Sequence, residues 1–372
     1  MRRLLLAVCV CALSTQAVSA QRTQAVSAQS IAPQVFRALQ TAQKAQEAGK
    51  YTEAGKALRA VKTDSGSLEQ ALVWRSHGYL VWAQGHTTHA IDLLGKAFRS
   101  GHLTPEQLSE DRLNLAKLNF SVKKYNQTLK YLDGVAATDE VLEMRIQAWQ
   151  GVGRLDKALP LAEQYLKGKA TISESWLQFM VGANAELKRY KKAEHWQKRI
   201  LKRDSNQLNA WKQLAALQQM DGQHSKALAT LRTAYAKGIS FKASDLDDLI
   251  SLASASGQPW QAARLLEGML KHNLLPTSIA AQERLAQLHW QARDYKPAAE
   301  HYARLAKQTG SGQHWFSLAQ LEMQQGHWQA GLQALSAAEK AGANQQQVRA
   351  WRDWAQSRLA LEKQNNNQLA RK

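Results

Sequence analysis

Apolar residues recur three and four positions apart along almost the whole chain, in stretches of about a dozen residues. That spacing places them on one stripe of a helix and predicts amphipathic helices rather than strands. Turn residues, mostly glycine and in five cases followed two positions on by an aromatic side chain, break the stretches, and the breaks come in register. Aligned on a small residue in the second helix of each pair, the chain gives Ala54, Ala90, Thr128, Ala158, Ala193, Ala227, Ala262, Ala298 and Gly331. Seven positions on lie Val61, Ala97, Val135, Tyr165, Ile200, Ala234, Met269, Leu305 and Ala338, all apolar or aromatic. Five positions before the small residue is the turn, held by Gly49, Gly85, Gly153, Gly222, Gly257 and Gly326, with Lys123, Lys188 and Arg293 in the other three.

The pairs start near residues 35, 71, 109, 139, 174, 208, 243, 279 and 312, a mean spacing of about 34.6 residues. A 34-residue helix–turn–helix unit is the tetratricopeptide repeat (TPR), whose first helix carries W-x2-L-G-x2-Y. Trp211-x2-Leu214-Ala215 and Trp315-x2-Leu318-Ala319 match it well, and Trp74-x2-His77-Gly78 partly. The turn aromatic is Tyr51, Tyr125, Tyr190, Tyr295 or Trp328. A lone pair cannot bury its apolar face, so such units stack into a continuous core. The expected fold is all-α: a right-handed superhelical solenoid of about nine degenerate TPR pairs spanning 34–341, closed by a capping helix within 342–363. The 30-residue step from 109 to 139 predicts a shortened second helix or loop around Asp133–Asp139. Residues 364–372, with Gln364-Asn365-Asn366-Asn367-Gln368, are expected to form a disordered polar tail.

The two ends differ in kind from the repeat. Met1-Arg2-Arg3, an uncharged apolar run from Leu4 to Leu13, and Val18-Ser19-Ala20 have the layout of a secretory signal peptide over 1–20. A flexible segment, 21–33, follows. The run TQAVSAQ occurs twice, at Thr15–Gln21 and Thr23–Gln29, so cleavage after Ala28 is an alternative to Ala20. A lipid on Cys9 fits poorly, because Val8 stands where Gly or Ala is wanted. Both cysteines, Cys9 and Cys11, fall inside the signal, and the exported chain is expected to be soluble, periplasmic and free of thiols.

Charge narrows the partners. The net charge is +19, or 19 − 2 = +17 without Arg2 and Arg3. So basic a surface suits acidic envelope proteins, an anionic membrane surface or cell-wall polymers. The export signal argues against nucleic acid. No P-loop, G-x-S-x-G or dinucleotide glycine pattern is present, and Glu140 with Glu143 reads as a solvated helix face. His86-x2-His89 crosses a turn with no third ligand at metal spacing, and His77, His195, His224, His289, His314 and His327 scatter over different pairs. Neither a catalytic site, a metal site nor a cofactor is therefore expected. Oligomeric state is not legible.

Two surfaces are candidates for a protein partner. By periodicity, positions 2, 5, 9 and 12 of each first helix face one inner groove: Leu72, Arg75, Tyr79 and Trp82, then Glu110, Leu113, Lys117 and Phe120. The eighth pair adds Glu283, Gln287 and Trp290, and the ninth Phe316 and Met323. Aromatics beside cations suit an extended peptide, although Trp82 and Trp290 fit packing against a neighbouring pair equally well. The second surface is a basic run, Lys188, Arg189, Lys191, Lys192, Lys198, Arg199, Lys202 and Arg203 against a single Glu194. It reads either as a solvated helix side or as a docking patch for an acidic protein.

The stretch Lys44–Leu361 resembles exported TPR proteins associated with TonB energy-transduction systems of Gram-negative bacteria. The resemblance is carried by Gly49–Ala54 (GKYTEA), Ala234–Gly238 (AYAKG), Leu252–Glu267 (LASASGQPWQAARLLE) and the terminal Ala350-Trp351-Arg352-Asp353-Trp354. It implies a periplasmic accessory to a TonB–ExbB–ExbD type complex serving outer-membrane uptake, and assigns no binding residue. The alternative is an unrelated periplasmic scaffold for envelope or wall assembly.

Overall fold

A computed structural model describes residues 31–369 as nineteen α-helices, with no strand among the described residues. The expected signal peptide, both expected cleavage positions, both cysteines and most of the segment 21–33 lie outside the described residues. The pairs are α1 (Pro33–Glu47) with α2 (Tyr51–Ala60), α3 (Leu68–Ala83) with α4 (Thr87–Arg99), α5 (Pro105–Ser121) with α6 (Tyr125–Leu132), α7 (Asp139–Gly151) with α8 (Leu155–Leu166), and α9 (Glu174–Glu186) with α10 (Tyr190–Arg203). They continue as α11 (Leu208–Met220) with α12 (His224–Ala236), α13 (Ala243–Ala255) with α14 (Pro259–Lys271), α15 (Ile279–Gln291) with α16 (Tyr295–Thr309), and α17 (Gly312–Gln324) with α18 (Trp328–Lys340), before α19 (Gln345–Leu369). Six of the nine expected pair starts, from 139 onward, coincide with the first residue of a helix. α1, α3 and α5 begin two to four residues earlier than expected, α1 with Pro33 as its first residue and α3 and α5 behind the caps Ser67 and Thr104.

The chain forms two compact units, Met1–Trp196 and Gln197–Lys372, with the boundary inside α10. Within each unit a helix packs on its partner and on the first helix of the next pair, as α3 does on α4, α4 on α5, α15 on α16 and α16 on α17. The register explains why. All nine aligned small residues are buried, and Ala54, Ala90, Ala158, Ala193, Ala227, Ala262 and Ala298 have no exposed surface. Gly331 has room for nothing more, since an added Cβ would lie 2.6 Å from Met323 Cγ. Of the apolar residues seven positions on, Ala97, Ala234, Met269, Leu305 and Ala338 are fully buried. Val61 and Val135 are only half-buried, because α2 and α6 end before reaching them. The expected shortening is thus in α6, which has eight residues.

The turns follow one geometry. Gly85 has φ of 84°, and the His86 N–H closes back five residues onto the Val81 carbonyl at 2.9 Å. This 6→1 bond satisfies a carbonyl orphaned at the helix end. Lys123, Lys188 and Arg293 adopt the same left-handed conformation, with φ of 57–59°, without being glycine. The aromatic after the turn is the first residue of the second helix in α2, α6, α10, α16 and α18.

α19 packs on α18 and buries Val348 and Ala355 in the core shared with α16–α18. Trp351 meets Phe316 edge-on at 6.2 Å, and Trp354 meets Trp328 at 5.0 Å. The helix continues to Leu369, through the beginning of the segment expected as a disordered tail. Neither Pro nor Gly interrupts the helix there.

Candidate partner-binding surfaces

The first expected surface is mostly internal structure. Arg75 on α3 is 8% exposed, and its Nε donates to both carboxylate oxygens of Asp111 on α5, at 3.0 and 2.9 Å. Its Nη2 donates to Glu110 at 2.7 Å. The Tyr79 hydroxyl donates to the same Asp111 and accepts from Asn114 Nδ2 at 2.9 Å. Burial pushes the Asp111 carboxyl up against the pull of Arg75, and drives the Tyr79 hydroxyl far above its ordinary range. Arg75 and Tyr79 therefore tie one pair to the next, with Arg75 buried and Tyr79 half-buried. The sequence reading missed this because the partner, Asp111, stands 36 residues away.

The remaining groove residues are divided. Trp82 stacks on Tyr79 at 6.1 Å and packs with it against the core of Val81, Leu94 and Leu115. Leu113 and Phe120 pack against the cluster of Ala116, Leu132 and Val141. Lys117 reaches Glu140 of α7 at 2.7 Å and stays half-exposed. Trp290 donates from Nε1 to Gln324 at 3.1 Å and meets Tyr302 edge-on. Glu283 lies 2.7 Å from His314 Nε2, and Gln287 is exposed. Both tryptophans are half-buried against a neighbouring pair, so packing accounts for their position.

The basic run falls on α10 and the turn before it. Lys188 takes the left-handed turn position, and Lys192 is paired with Glu163 at 3.0 Å. Lys188, Arg189, Lys191 and Lys192 belong to the first unit, and Lys198, Arg199, Lys202 and Arg203 to the second. The second half of α10 leads to a feature not expected from the sequence. Between α10 and α12, floored by α11, lies a shallow open groove of about 490 Å³. Lys198 and Lys202 stand on one wall, Lys226 and Lys237 on the other, and no acidic residue lines it. Trp211 and Leu214 form part of its floor; the Trp211 Nε1–H is spent on the Ser205 carbonyl at 2.8 Å, which fixes the ring. Thr230 donates to Gln218 Oε1 at 2.7 Å and holds the wall to the floor. A signal for the groove exists in the sequence: Lys202 and Lys237 are 35 residues apart, about one repeat, at the C-terminal ends of successive second helices.

No family model matches this chain, and no curated protein matches it. Among solved structures it is similar to a tetratricopeptide repeat protein from Parabacteroides merdae, 15% identical over 77% of this chain and 99% of that one, with a TM-score of 0.32. The TPR domain of P58(IPK) is 14% identical over 88% and 99% of the two chains, with a TM-score of 0.27. YrrB, described as a TPR protein with an unusual peptide-binding site, is 12% identical over 50% and 95%, with a TM-score of 0.32. Likeness at this level concerns the fold alone, and the assignment rests on the chain's own registered helix pairs. The protein is an α-solenoid of tetratricopeptide-type units.

Proposed function

We propose that this protein is an exported adaptor that holds an acidic segment of a protein partner, and that it serves as a periplasmic accessory to a TonB-type uptake system. The observation that carries the binding reading is the α10–α12 groove: four lysines, a fixed tryptophan and no carboxylate within it. Lysines lining one groove attract an acidic segment from a distance and speed its encounter, while an aromatic floor gives contact area once it has arrived. The TonB setting is supported by the resemblance of the GKYTEA, AYAKG and LASASGQPWQAARLLE segments, and the periplasmic setting by the signal-like first twenty residues.

Photo-crosslinking from Ala229, beside the groove, in living cells would test both parts. Recovery of a TonB, ExbB or ExbD type protein is the expected result; recovery of a wall-assembly protein alone would move the adaptor to the alternative scaffold role. With the recovered partner in hand, Lys198, Lys202, Lys226 and Lys237 changed together to Glu should abolish binding at low salt. Trp82→Ala with Phe120→Ala should leave it intact. The reverse pattern would return the site to the first helices of the early pairs.

A further inference from the structure

Histidines that are scattered in sequence come together in the second unit. His289 on α15 is 3% exposed. Its Nδ1 lies 3.1 Å from Asp294 Oδ2, at the entry to α16, and its Nε2 lies 3.3 Å from Glu267 Oε1 on α14. A neutral imidazole carries one proton, so it can donate to one of these carboxylates and not to both. The second contact needs another positive charge between nitrogen and oxygen. His301 on α16 stacks on His289 with ring centroids 5.5 Å apart, and the donor atoms of Glu267, His289 and His301 all lie within 4.8 Å of one another.

We propose that Glu267, His289 and His301 form a binding site for a divalent transition-metal ion of the zinc class, with Asp294 orienting His289 from behind. The donor set is two imidazoles and one carboxylate, which suits such ions better than the all-oxygen preference of calcium or magnesium. The Asp294 contact has the form found behind metal-binding histidines: Nδ1–H is given to a carboxylate, which leaves the Nε2 lone pair for the metal. The Asp294 N–H also donates to the His289 carbonyl at 2.9 Å, so the two residues are held together by backbone as well. Three successive helices supply the ligands, and a bound ion would lock α14, α15 and α16 to one another.

Two cations oppose the ion. Arg304 Nη2 lies 3.0 Å from His301 Nδ1, and Arg264 Nη1 lies 3.7 Å from Glu267 Oε2. Both arginines are exposed and can turn to solvent. They make a prediction that a merely structural histidine cluster would not: removing Arg304 should tighten metal binding.

The experiment is calorimetric titration of the purified, untagged protein with Zn2+ alone, with visible absorption of Co2+ as the readout of coordination. One ion should bind per chain, and Glu267→Gln and His301→Gln should each weaken binding at least tenfold while leaving helicity and melting of the metal-free protein in place. Asp294→Asn should weaken it by about 10–100-fold. Arg304→Gln should tighten it several-fold. The buried His289→Gln is a poorer test, because it can unfold the unit. Absence of saturable one-to-one binding would overturn the proposal. So would Zn2+ affinity unchanged in His301→Gln, which would place the ion elsewhere.

Discussion

At the scale of the residue, the molecule separates charges that matter to stability from charges that do not. Asp111 is fully buried and holds Arg75, Glu110's neighbour in the same network, from the next helix pair. Removing one member of a buried pair strands the other, at a cost of about 3–5 kcal/mol. Asp111→Ala should therefore shift the urea midpoint sharply. Lys117→Ala breaks the exposed pair with Glu140 and should cost no more than about 1 kcal/mol. Equal midpoints for the two variants would show that the Arg75 network is not structural. Periodicity alone placed Arg75 and Lys117 on the same inner face, and the difference between them depends on a partner it cannot see. The small residues were legible because each must fit between two helices whatever lies further off.

At the scale of the element, the turn is the unit's most repeated device, and three copies keep a strained residue. A non-glycine in the left-handed region costs roughly 1–2 kcal/mol, whereas glycine adds about 0.4–1 kcal/mol of unfolded-chain freedom. Lys123→Gly should therefore raise stability by roughly 0.5–1 kcal/mol, read from denaturant midpoints. Gly222→Ala is the opposite experiment: nothing lies within 4 Å of the added Cβ, so the change reports the cost of the positive φ of 75° less the unfolded-chain freedom lost with the glycine. A gain in stability for Gly222→Ala would mean that the turn relaxes freely. Helix starts from 139 onward were readable from the register of the repeat, and Thr138, Ser173 and Ser278 also cap three of them. The extension of α19 to Leu369 was not, since a Gln/Asn run is compatible with either helix or coil.

At the scale of the whole molecule, the fold followed from a pattern repeated nine times, whereas both proposed sites depend on neighbours brought together by stacking. The α10–α12 groove needs lysines from two successive pairs, and the histidine cluster joins residues 289 and 301 with one at 267. Neither spacing corresponds to a known motif, so only one half of the groove, Lys198 and Lys202, was marked in advance. The proposed export is a separate matter of the first twenty residues. The protein recovered from a periplasmic fraction should begin at Gln21, by N-terminal sequencing; retention of Met1, or a lipid on Cys9, would refute cleavage there.

The shortness of α6 has a consequence for how the array comes apart. In stacked repeats each pair is held by its immediate neighbours, so resistance to opening varies along the chain and fails first at the weakest coupling. α6 has only eight residues and stops before Val135, so residues 133–138 belong to no second helix. Amide exchange should be fastest here among the interior pairs, and a broad-specificity protease should make its first internal cut within 133–138. Mass spectrometry of the fragments reads the position directly. A first cut in the loop between α12 and α13 instead would mean that the length of a second helix does not govern where this solenoid yields.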